Sequence, residues 1–160
     1  MDKLFETAVF TRKALLQMLD SLTEEQMVKI PETHRNSVFW NVAHLMVTQQ
    51  LLLYRLSGLP LCIDEVFVER YGKGSEATEK VSVKDIEFVK KNIVPLCERT
   101  QQDYEKGLFH NYKPYMTSTG IELTSVEEAL KFSAFHDGIH LGVILSLKKL
   151  VQNKVASKKD

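Results

Sequence analysis

The chain has little cysteine: two residues in 160, Cys62 and Cys97, with no C-x-x-C spacing. That excludes a disulfide framework and a cysteine-based zinc ribbon, and it suits a reducing compartment. Surplus charge is also missing, since 21 basic residues balance 21 acidic ones. Nucleic-acid binding usually calls for a strongly basic face, so the composition points away from that class. No apolar run approaches the ~20 residues that span a bilayer. The stretch from Met1 to Phe10 mixes charges with apolar residues and does not read as a signal peptide. The expectation is a cytoplasmic protein with neither nucleic-acid nor membrane partners. Repeats and low-complexity tracts are absent, and no strand pattern competes in length with the helical ones.

What is present is helical periodicity. Hydrophobic residues make up 44% and charged residues 26%, close to a soluble globular domain, and the length suits one domain. Leu4, Phe5, Ala8, Val9, Leu15, Leu16, Leu19 and Leu22 return every three or four residues and predict a first helix. Thr23 to Gln26 has capping-box spacing and predicts a short helical turn before Pro31. A second long helix begins near Asn36 or Ser37, carries Trp40, His44, Val47 and Leu51 on one stripe, and stops at Gly58 and Pro60. Residues 59–81 show no helical period and predict a long crossover between helices that run in the same direction. The third long helix starts near Ser82, with Asp85 at the box position. Pro95 inside it predicts a kink or a break. Residues 107–124 read as a second irregular stretch. Overlapping capping boxes at Thr124 to Glu128 then open the fourth helix. The fold class is all-α, a four-helix bundle over 1–153, with 154–160 as a frayed basic tail. Lys148, Lys149, Lys154, Lys158 and Lys159 suit a helix C-terminus followed by that tail.

The chemistry lies in the histidines. His136 and His140 are four residues apart, on the core-facing stripe of the fourth helix, where both imidazoles can reach one ion. Imidazoles inside an apolar bundle need partners, which a metal or neighbouring hydrogen-bonding groups can supply. His44, on the apolar side of the second helix, is the natural third ligand, because bundle cores build sites from facing helices. Three neutral nitrogens leave a coordination position open, for a water or for the thiolate of a small thiol. Such a donor set suits zinc, nickel, copper or iron. Asp137 is a candidate for catalysis, either orienting a ring or acting as general base; a solvated surface charge is the competing reading. His136-Asp137-Gly138-Ile139-His140 departs from the zinc-protease H-E-x-x-H by an Asp in place of Glu, which argues against a protease. His34 and His110 fall in loops and are expected to be solvated. Tyr54, Tyr112, Tyr115 and Thr117 are candidates for a pocket mouth, and Gln49 for an inner polar group.

The segments Ser37 to Leu45 and Gly120 to Leu130, with Phe135 to Gly142, resemble the second- and fourth-helix motifs of the DinB/YfiT-like bundle proteins. The resemblance covers about residues 1–150. It implies an up-down-down-up bundle with its long connection between helices two and three. It also implies a divalent metal, zinc or nickel foremost, on His44, His136 and His140, and a homodimer. Some relatives transfer low-molecular-weight thiols onto electrophiles, so a thiol cosubstrate is implied; others are called metal-dependent hydrolases. The alternative to an enzyme is a non-catalytic metal-binding or stress-response bundle.

Overall fold

The computed structural model describes residues 1–156, with side chains through Gln152. Lys154, Lys158 and Lys159, expected in the basic end, lie outside the described side chains. Helix α1 (Asp2–Asp20) buries Phe5, Leu15 and Leu19 as the periodicity predicts, together with Arg12. Helix α2 (Glu24–Val28) is closed by the predicted capping box: Gln26 N–H donates to the Thr23 hydroxyl, and Thr23 N–H donates to the Gln26 side chain. Ser37 caps α3 (Val38–Gln49), its hydroxyl accepting from Trp40 N–H at 3.1 Å. Nearly every residue of α3 is buried, so this helix is the centre of the core.

Five features differ from the sequence expectation. Helix α3 continues into a π-helical stretch, Gln50–Arg55, before the chain turns at Gly58. Its wide turn follows directly on the helix that carries His44. Within 59–81 a short helix α4 (Glu65–Tyr71) forms, capped by Asp64, whose carboxylate accepts from Phe67 N–H at 2.6 Å. Phe67 and Tyr71, one turn apart, are both buried and anchor it to the core. Helix α5 (Val83–Glu105) runs through Pro95 without a break, which excludes the break of the two outcomes that Pro95 predicts. Pro95 and Lys91 are both exposed, so the Lys91 carbonyl that loses its helical partner lies on the solvent side of the helix. Its Ser82 cap forms, but Asp85 does not complete the box, because its carboxylate pairs with Arg70 and Tyr71 instead. Between α5 and α6 (Val126–Ala156), strands β1 (Tyr115–Met116) and β2 (Glu122–Leu123) make a small antiparallel hairpin.

Named contacts give the helix directions. Phe5 meets Tyr104, and Asp20 pairs with Lys90 at 2.8 Å, so α1 and α5 are antiparallel. Phe5 lies near Leu130 and Arg12 binds Asp137, so α1 and α6 are parallel. Asn41 reaches His140, while Leu52 packs in the cluster of Ala129 and Leu130, so α3 and α6 are antiparallel. The long connection therefore joins the parallel pair, α3 and α5. Beneath this packing, Arg12 donates to Asp137 at 3.0 Å, with both side chains more than nine-tenths buried.

Removing one partner of such a pair strands a buried charge. Arg12→Met is expected to cost about 3–5 kcal/mol in urea unfolding, and the double change Arg12→Met with Asp137→Leu is expected to recover most of it. A single-variant cost below about 1 kcal/mol would show that the pair does not lock α1 to α6.

Candidate metal centre

Spacing on α6 stacks His136 over His140, their ring centroids 4.4 Å apart. Across the interface, His44 of α3 lies 5.4 Å from His136 and 5.0 Å from His140. One ring nitrogen of each lies within 4.8 Å of the others, so the three residues form a group that could hold a metal ion. Trp40, one turn before His44 on α3, stacks on its ring at 4.7 Å and fixes its plane.

Hydrogen bonds set which nitrogens are free. His44 Nδ1 lies 2.8 Å from the Tyr71 carbonyl. A carbonyl only accepts, so Nδ1 carries the proton and Nε2 keeps its lone pair. The Thr48 hydroxyl lies 3.2 Å from that Nε2. His140 Nδ1 lies 2.7 Å from Asn41 Oδ1. Asn41 in turn donates Nδ2–H to the Ser37 carbonyl at 2.8 Å, which turns its own oxygen toward His140. His140 therefore also carries its proton on Nδ1 and presents Nε2. Histidines that bind metals are commonly oriented in this way, the second nitrogen donating to a carbonyl or amide. The donor set fits a divalent ion in its chemistry.

The position of the Tyr71 carbonyl depends on Gly72. A β-carbon at Gly72 would lie 2.6 Å from the Val68 carbonyl oxygen, so only glycine permits this close end to α4.

Beside the histidines lies a cavity of about 370 Å³, with His44 and His136 in its wall. Leu51, Leu52 and Arg55 reach it from the π-helical stretch, Lys73 from the loop after α4, and Tyr115 and Thr117 from the hairpin. Of the mouth candidates, Tyr115 and Thr117 are thus in place. Tyr54 is occupied elsewhere, donating its hydroxyl to Asp103 at 2.7 Å. Tyr112 is half-buried in the second core cluster, outside the cavity lining. Gln49 is buried and inner, in a small space shared with Arg12 and Asp137. Asp137 turns its carboxylate to Arg12 and is not part of the cavity wall. Burial pushes its carboxyl up, opposed by the guanidinium. The pair stays ionised, because a neutral Asp137 would leave the Arg12 charge buried alone. His34 is half-buried beside Thr33 and His110 is exposed; neither joins the cluster.

Arg12, Asn41, Tyr71 and Lys73 escaped the sequence reading. Arg12 and Asn41 carried a usable signal, a polar residue at a core position. Tyr71 acts through its backbone, and Lys73 through its place in the fold, so neither is marked by residue type.

A helical bundle with an inward-facing three-histidine cluster defines the class. The chain belongs to the DinB superfamily, whose family model matches residues 7–144. No curated protein matches it.

Burial lowers the pKa of all three imidazoles, with neighbouring positive or imidazole groups adding to the effect at His136 and His140. His136 falls to about 4 and His140 to about 3, so each is neutral and able to ligate at pH 7. The unfolded chain takes up protons below about 6.5 while the folded one resists. Their contribution is therefore fully present above that pH and is lost as pH falls toward about 4 and then 3. Chelator-treated protein is expected to lose unfolding free energy between about pH 7 and pH 5, and His136→Gln with His140→Gln to lose distinctly less. Equal pH dependence of the two proteins would contradict the assignment.

Proposed function

We propose that the protein is a metal-dependent enzyme in which His44, His136 and His140 hold one divalent ion, zinc or nickel. The observation that carries this reading is the convergence of three imidazoles, two with their Nδ1 protons engaged, beside a sizeable cavity whose wall includes His44 and His136. When bound, such an ion supplies an acidified water or a thiolate as nucleophile near neutral pH. The reaction is attack by that thiol or water on a small electrophile, which makes the protein a low-molecular-weight thiol S-transferase or a hydrolase.

The chain's own residues divide the remaining work. Tyr71 and Asn41 hold the two rings in one tautomer. Thr48 lines the cavity beside His44 and would release its hydroxyl from His44 Nε2 when that nitrogen takes the ion, leaving the hydroxyl to hydrogen-bond a molecule in the cavity. Leu51, Leu52 and Phe132 exclude water from the inner wall. For Asp137, the pairing with Arg12 supports a positioning role: it fixes the rotation of α6 and so the direction of His136. No described helix is long and apolar enough to cross a membrane, which supports a cytoplasmic setting.

Elemental analysis of purified protein is expected to find about one ion per chain, and His140→Ala to lose most of it. Equal metal content in the two would sink the site. Metal-loaded protein is then offered a model electrophile with and without a physiological thiol. Turnover only with thiol identifies transfer, and turnover without it identifies hydrolysis. No turnover, with strong metal-dependent stabilisation, would favour a non-catalytic metal-binding protein.

A further inference from the structure

The cavity beside the histidines is chemically lopsided. Leu52, Leu56, Phe132, Phe135 and Ile139 make most of its wall apolar, and two cations reach it, Arg55 and Lys73. Arg55 is already neutralised by Glu65, which takes both hydrogen bonds from its Nη2. Lys73 differs: among the described residues it has no carboxylate within ion-pair distance. Lys73 is solvent-exposed and stands at the rim of the cavity. It stands two residues after Tyr71, whose carbonyl binds His44, and directly after Gly72, packed against α4. An ammonium without a counter-ion at the edge of an apolar cavity attracts an anion more strongly than one in open water, because the low-dielectric wall weakens screening.

We propose that this cavity takes a small molecule with an apolar body and a terminal carboxylate. The body lies against Leu52, Phe132 and Phe135, the carboxylate meets Lys73, and the intervening atoms pass His44 and His136. The proposal rests on reading the cavity as the substrate site of a metal-dependent enzyme. A small hydrophilic anion leaves the apolar wall uncovered, and a neutral apolar molecule leaves Lys73 unpaired. The combination satisfies both, with a few polar groups fixing orientation in a mostly apolar site.

The test compares phenylbutyrate with its neutral amide, phenylbutyramide, by calorimetry at low ionic strength. Wild type and Lys73→Gln are each measured metal-loaded and chelator-treated. The acid is expected to bind wild type about fivefold more tightly than the amide, as one partly exposed ion pair provides. Added salt is expected to shrink that ratio. In Lys73→Gln it falls to near one while amide binding is unchanged, and the fall is the same with and without metal. Equal binding of acid and amide to wild type, no binding of either, or a ratio that survives in Lys73→Gln overturns the proposal. A preference for the acid that appears only in loaded protein and survives in Lys73→Gln assigns the carboxylate to the ion instead, which also overturns it. Metal content measured on the same samples separates the two claims. Normal uptake without acid preference defeats the substrate class alone. A Lys73-dependent preference in protein that takes up no metal defeats the enzyme reading alone.

Discussion

The bond from His44 to the Tyr71 carbonyl, matched by the bond from His140 to Asn41, is the constraint on which the centre depends. A buried imidazole that finds no partner costs a few kcal/mol and is free to turn. These two bonds remove both problems with neutral acceptors, so the rings stay uncharged and their outer nitrogens are aimed. Ser37 ties the arrangement to the start of a helix. Its hydroxyl caps α3, and its carbonyl holds the amide of Asn41. The same residue thus begins the helix and orients a ring on another helix.

Adjacent residues on a helix point about 100° apart, which explains how His136 and Asp137 serve different interfaces. His136 turns toward α3, while Asp137 turns toward α1 and its buried guanidinium. The ion pair gains little net stability over a well-packed apolar pair. What it imposes is register, since α6 cannot rotate or slide without leaving Arg12 alone. Histidine geometry on α6 is therefore set from the side facing away from the site.

The cavity arises where regular packing ends. The π-helical stretch widens the second long helix from Gln50, just past the end of α3, and the β1–β2 hairpin comes to the same opening. π-helical turns are uncommon and often accompany functional sites. Here the turn presents Leu51, Leu52 and Arg55 to the cavity while Leu53 and Tyr54 stay in the core.

Much of the bundle was legible because its signals are local. Periodicity in α1, α3, α5 and α6, the Thr23 box and the Ser37 cap follow from spacing and residue type. The pairing of His136 with His140 follows from the rise of a helix. The short helix α4 could have been read from Asp64 and the Phe67–Tyr71 spacing, but the glycines around it hid the pattern. That α5 runs past Pro95 without a break was not predictable from Pro95 alone, because the cost of the lost backbone bond depends on whether the freed carbonyl faces solvent. The primary structure by itself determined the helices and the histidines on their inner faces, since both follow from side-chain chemistry at fixed helical intervals. Only the tertiary structure decided that Tyr71, Asn41 and Arg12 would serve the site and that Lys73 would reach the cavity. Those roles depend on backbone atoms and on contacts between residues as many as 125 positions apart, which no local pattern encodes.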